Sequence, residues 1–157
     1  MNQAGASLAL LPGCSMHQVH GDAGQVLTAL ANRVVDGGFA RASLTSAVLT
    51  REASYPTGLP TPIPAAIPHT DPEHVLQPGL AVASLPQAVD FGLMGGSATD
   101  RIGVRLVVLL CVTDPAGQVA GLQQVLGRLA DAEAVSTVVE HHDPNTFEEV
   151  VRSWLAG

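Results

Sequence analysis

The chain contains no lysine, and its seven basic residues are arginines scattered from Arg33 to Arg152. A formal net charge of -7 with no clustered positive face excludes a nucleic-acid binder, which needs a basic patch or stripe. Aromatic residues make up only 3% of the chain although 46% is hydrophobic, so the core is expected to consist of Val, Leu, Ala and Ile on regular helices and strands. There are just two cysteines, Cys14 and Cys111, far apart in sequence and with Cys111 inside an apolar run. A disulfide framework is excluded, and buried free thiols in a reducing compartment are expected. No hydrophobic run is long enough to span a bilayer, the strongest being "LVVLLCV" at 106–112, and direct membrane insertion is not expected. The opening "MNQAGASLALLPGCS" has no basic region before its short apolar patch, which makes it a poor secretory signal and points to the cytoplasm.

What the sequence does contain reads as one domain over residues 1–157, a length that buries a core without disulfide or metal staples. Residues 6–12 are expected to form a first strand. Val26, Leu27, Leu30, Val34 and Val35 recur at helical spacing, and Gly37-Gly38 stops the helix. Ser43 is expected to cap a second helix through "LTSAVLTREAS", which Pro56 prevents from continuing far. Two short strands are expected at 79–85 and 88–94 and a long one at 101–112. Asp114-Pro115 is an N-cap with proline at the first helical position, opening a helix through "GQVAGLQQVLGRLAD". The segment "DAEAVSTVVEHH" fits a short helix or a strand. Thr146 and Glu149 have the spacing of a capping box at the start of a last helix. The order of elements predicts an α/β fold with a mixed β-sheet sandwiched by helices.

Between the second helix and the strands lies "REASYPTGLPTPIPAAIPHTD", residues 51–71, dense in proline and poor in charge. Pro68 fixes its own φ and drives Ile67 to an extended conformation, so His69 is expected at the end of a strand, exposed and with little backbone freedom. Asp71-Pro72 reads as the start of a short turn or helix whose backbone N–H groups favour an anion. A histidine with an ordinary pKa near 6.5 is a nucleophile at cellular pH if one ring nitrogen is held as N–H. With Arg51 to neutralise phosphate, this arrangement suits reversible capture of a phosphoryl group. The same segment admits a different reading, a metal-binding protein or metal-dependent hydrolase using His69, Asp71 and His74. His17, His20, His141 and His142 read as solvated surface.

The wording of these segments closely resembles a known family. "TREASYPTGLPTP" followed by "AIPHTDPEHV" is similar to the signature of enzyme IIA components of the bacterial phosphoenolpyruvate-dependent sugar phosphotransferase system, fructose-mannitol superfamily. "YPTGLPT" and "PHTD" most resemble its galactitol-type subgroup. "VVDGGFARASLTSAVLTRE", "AVDFGLMGG" and "VVLLCVTDPAGQVAGLQQVLGRLAD" share the family's order and spacing, so the likeness runs from about Gln25 to the C-terminal helix.

The resemblance implies a phosphotransferase with a transient phosphohistidine and no metal or small cofactor. By the likeness, His69 accepts a phosphoryl group from HPr and passes it to a cysteine of enzyme IIB, which serves membrane enzyme IIC in uptake of a galactitol-like polyol or a pentose. A regulatory IIA-like protein not coupled to transport is a close variant. Arg51 matches the arginine of the family's "RE" pair and is expected to steady phosphate charge. Glu52 is expected to orient Arg51 or to end its helix, and Thr70 to give a hydroxyl to the phosphate or cap the turn. His74 is a polar turn residue on this reading. Gln118 stands where mannitol-type relatives carry a second histidine and galactitol-type members tend to carry glutamine. Ala65-Ala66 replaces glycine often found before the active histidine.

Overall fold

The computed structural model describes residues 7–157; residues 1–6, on which the first predicted strand and the reading of the N-terminus partly rest, lie outside the described residues. The elements in chain order are β1 (Leu10–Met16), α1 (Ala23–Asp36), α2 (Leu44–Ser54), β2 (Gly58–Leu59) and β3 (Ala65–Ala66). A 3-10 turn (Pro72–His74) precedes β4 (Gly79–Gly92), β5 (Arg101–Cys111), α3 (Pro115–Leu129), α4 (Ala132–Val139) and α5 (Phe147–Ala156). Among the described residues no helix is long and apolar enough to cross a membrane.

The five strands form one sheet in the order β1-β4-β5-β3-β2. β1 runs parallel to β4 and β3 parallel to β5, whereas β4–β5 and β2–β3 are antiparallel, so the predicted mixed sheet is present. The β5 run explains its central place. Val107, Leu109 and Cys111 face a core shared with α1 and α2, while Leu106, Val108 and Leu110 face one shared with α3, α4 and α5. A strand with both faces covered must be apolar at every position, and this one is from Leu106 onward. With aromatics scarce, Phe91 and Phe147 supply the largest fully buried side chains, one in each layer.

The two short strands expected at 79–85 and 88–94 are a single strand, β4, paired along its length with β5 and irregular between Ser84 and Val89. Pro86 lies in that gap and has no N–H to donate, so the ladder breaks there without the strand ending. The first strand also starts later than expected, at Leu10.

Asp114 caps α3 as predicted, its side chain accepting from the Gly117 N–H at 2.6 Å. Asp131 does the same for α4 at 3.1 Å, which makes "AEAVSTVV" a helix. Two predicted caps are absent. Ser43 gives its hydroxyl to a contact with His74 Nδ1 at 2.8 Å, and Thr146 Oγ1 lies 2.8 Å from His141 Nε2 in place of the capping box. His17 and His141 are also not solvated surface: the His141 carbonyl accepts a hydrogen bond from His17 Nε2 at 2.7 Å, and the His17 ring meets Phe147 edge-on. His20 and His142 are exposed as expected.

Candidate functional site

The proline-rich segment lies along the edge of the sheet beyond β5. Gly58 is needed there: a Cβ on it would stand 2.6 Å from the Gly92 carbonyl oxygen and 2.7 Å from Ile102 Cγ2. The close approach lets β2 and β3 reach the sheet, with Gly58 opposite Ala66 and Ala65 opposite Leu106. Past β3 the chain continues extended through Ile67 and Pro68, whose carbonyl accepts from the Leu110 N–H at 3.0 Å. His69 follows directly, placed by strand pairing on one side and by proline on the other.

His69 is only 7% exposed, which corrects the expectation of an exposed imidazole. The reason is tertiary, because α2, the β4–β5 hairpin and α3 close around it. Its Nδ1 lies 2.9 Å from the Ile67 carbonyl oxygen. A carbonyl can only accept, so Nδ1 carries the proton and Nε2 holds the free lone pair. Burial pushes the imidazole pKa below its ordinary value, the Arg51 charge pushes the same way, and the Ile67 hydrogen bond opposes both. The ring is thus held neutral, in the form that can act as a nucleophile.

A cleft of about 460 Å³ is lined by His69, Arg51, Gln118, Tyr55, Met94 and Leu122, together with the backbone of the hairpin at Gly95 and Gly96. The structure therefore brings three of the predicted residues together: His69, Arg51 and Gln118. Arg51 comes from the last turn of α2 and Gln118 from the first turn of α3. The Arg51 guanidinium is 5.1 Å from the Tyr55 ring centroid and 3.9 Å from the Asp71 carboxylate, while its Nε is buried with no hydrogen-bond partner.

Thr70, Asp71 and His74 line a neighbouring cleft, which shares Arg51 and Tyr55 with the first. The predicted anion-favouring helix start at Asp71-Pro72 is a three-residue 3-10 turn, and the Asp71 side chain makes no cap. That carboxylate lies 3.9 Å from the Arg51 guanidinium instead. His74 spends Nδ1 on Ser43, and among the described residues no three His, Cys, Asp or Glu side chains converge as a cation cage. Glu52 does not orient Arg51. Its two carboxylate oxygens accept from the Thr57 N–H at 2.8 Å and the Thr57 hydroxyl at 2.9 Å.

Sequence reasoning passed over Tyr55, Thr57, Met94 and Leu122 as site residues. Leu122 had an available signal, since it is four residues beyond Gln118 on the same helix and so on the same face. Met94 lies within the segment "AVDFGLMGG" already singled out, but its place at the cleft depends on the pairing of β4 with β5 and on a bond from its N–H to the Gly58 carbonyl.

A neutral, oriented imidazole beside an arginine with an unused donor, on a mixed sheet covered by helices on both faces, defines a small α/β protein built for group transfer. Comparison with known proteins places it further. The family model described as "Phosphoenolpyruvate-dependent sugar phosphotransferase system, EIIA 2" matches residues 15–154. The galactitol-specific EIIA component of Escherichia coli K12 is 28% identical over 119 residues, 75% of this chain and 78% of the relative. The fold is similar to that of IIA mannitol from E. coli, with a TM-score of 0.70 at 20% identity over 90% of this chain and 98% of that one. It is similar also to that of a chain in the complex of enzyme IIAMTL and phosphorylated enzyme IIBMTL from E. coli, with a TM-score of 0.74 at 21% identity over 96% of this chain and 99% of that one. The chain belongs to the EIIA 2 family of the phosphoenolpyruvate-dependent sugar phosphotransferase system. It is a phosphocarrier of that system and thereby a phosphotransferase.

Proposed function

We propose that the phosphoryl group is carried on Nε2 of His69. The observation that carries this reading is the Nδ1–H bond to the Ile67 carbonyl, which leaves Nε2 as the nucleophilic nitrogen of a neutral ring. On this reading the Nε2 lone pair attacks the phosphorus of phospho-HPr, the P–N bond of the donor breaks as the new P–N bond forms, and HPr leaves with its ring neutral. In the second step the thiolate of a cysteine on enzyme IIB attacks the same phosphorus, and His69 recovers its lone pair. No metal or small cofactor enters either step.

Arg51 supplies its buried, unpartnered Nε and its fork to the three equatorial oxygens, where charge is spread in the transition state. A buried donor without a partner costs about 1–3 kcal/mol, so a phosphate oxygen offsets a cost already present in the resting protein. The Gln118 amide serves as a second donor to the phosphoryl group. Thr70 and His74, in the adjoining cleft, contribute to its polar wall.

The partner reading has support from the mannitol relative solved with phosphorylated enzyme IIB. The 28% identity to a galactitol-specific component supports a galactitol-like polyol as the sugar taken up through enzyme IIC. Residues 1–157 act as one EIIA type-2 domain in the cytoplasm. The test is incubation with phosphoenolpyruvate, enzyme I and HPr, followed by intact-mass analysis at alkaline pH and after brief acid treatment. One acid-labile phosphoryl group, absent in His69→Ala, is expected; its persistence in His69→Ala would overturn the assignment.

A further inference from the structure

We infer that Glu52 is a positioning residue that sets the spacing between Arg51 and His69 by tying Thr57 to the end of α2. The inference rests on the reading of His69 as the phosphoryl acceptor. Its basis is a continuous run of hydrogen bonds between the two sides of the cleft.

Arg51 and Glu52 are adjacent in the last turn of α2. Arg51 extends into the cleft, whereas Glu52 accepts both donors of Thr57, at 2.8 and 2.9 Å. Thr57 is 2% exposed, and its carbonyl oxygen in turn accepts the Ile67 N–H at 3.3 Å. The Ile67 carbonyl then accepts Nδ1–H of His69. The Ile67–Pro68 peptide has no N–H, so the carbonyl that orients the imidazole is held only through its flanking residues. One clamp is Ile67 N–H on Thr57; the other is Pro68 O on Leu110. The first clamp is anchored to α2 by Glu52.

A carboxylate in this place is more than the turn requires. A single neutral acceptor would satisfy the Thr57 N–H, whereas the Glu52 carboxyl sits where burial raises its pKa and so works against its charge. Two bonds to the two oxygens of one carboxyl group fix Thr57 in both position and rotation, which a single bond does not. The phosphate-binding guanidinium and the nucleophile, eighteen residues apart in sequence, thereby move as one body.

The experiment compares wild type, Glu52→Gln, Thr57→Val and Thr57→Ser. For each, steady-state phosphoryl transfer from phospho-HPr gives kcat and KM, and nitrogen-15 NMR of the His69 ring gives its tautomer. Thr57→Val keeps the shape and the backbone bond, so it remains informative if Glu52→Gln does not fold. Misplacement by ~1 Å costs up to ~10²-fold in rate, so kcat in Glu52→Gln and Thr57→Val is expected to fall about tenfold, with KM nearly unchanged. The Nδ1–H tautomer is expected to lose its dominance, and Thr57→Ser is expected to retain both properties. Folded Glu52→Gln or Thr57→Val with wild-type kcat and an intact Nδ1–H tautomer would overturn the inference, as would a loss confined to KM. Failure of the underlying reading is separate, because it shows in the wild type as no phosphoryl group on His69.

Discussion

Nδ1 of His69 donates to the Ile67 carbonyl, two residues back, at 2.9 Å, so the ring's orientation is set by the very strand end that delivers it. This short-range bond decides both the tautomer and which nitrogen is free. It also changes what removal of the side chain should do.

His69→Ala is expected to abolish phosphoryl uptake and to lower stability by about 1–2 kcal/mol, the scale of one buried hydrogen bond plus lost packing. An exposed residue would leave stability unchanged on truncation, but this one is only 7% exposed. Urea unfolding of the variant beside wild type measures the difference.

The depressed pKa of His69 has a sign that can be checked. In the unfolded chain the imidazole takes up a proton near pH 6.5, while in the folded protein it does so only at lower pH. The unfolded state therefore binds more protons in that window, and folding stability falls as pH drops through it. Phosphoryl uptake should persist into the same window, since the folded ring stays neutral. NMR titration of the His69 ring, with uptake rates at each pH, tests both statements; titration at or above 6.5 would contradict them.

Arg51→Lys keeps the charge but loses the planar fork and the buried Nε, and a fall of about a hundredfold in the transfer rate is expected. Stability should change little, because the 3.9 Å pair with Asp71 involves a carboxylate that is 68% exposed. Single-turnover transfer and a thermal melt separate the two effects.

Gly58→Ala should destabilise the fold by about 1–3 kcal/mol, since its Cβ meets backbone at Gly92 that cannot move without shifting β4. Because Gly58 follows Thr57, uptake at His69 should also fall. Unchanged melting of the variant would show that the segment tolerates more space than the structure provides.

Burial raises the thiol pKa of Cys14 to about 11 and of Cys111 to about 12, so both stay protonated at neutral pH. Alkylation by iodoacetamide should be negligible in the folded protein and reach two additions in denaturant, as read by intact mass.

Much of the fold was legible because its signals are local. The apolar run of β5, the helical periods of α1 and α3 and the Asp114-Pro115 cap each depend on neighbours within a few residues. The sequence reading failed where a residue's partner is distant. Two separate strands are expected at 79–85 and 88–94, but β5 pairs with both as one strand across Pro86. Ser43 and Thr146 looked like caps, but each hydroxyl found a histidine ring.

The same division holds at the site. His69 and Arg51 could be named from a linear motif, because proline stiffening and residue chemistry are properties of the chain itself. The burial of His69, the turn of Glu52 toward Thr57 and the arrival of Met94 and Gln118 at one cleft were decided only by tertiary structure. Strand pairing brings together segments that are dozens of residues apart, and desolvation acts on an ionisable group only once those segments have closed around it.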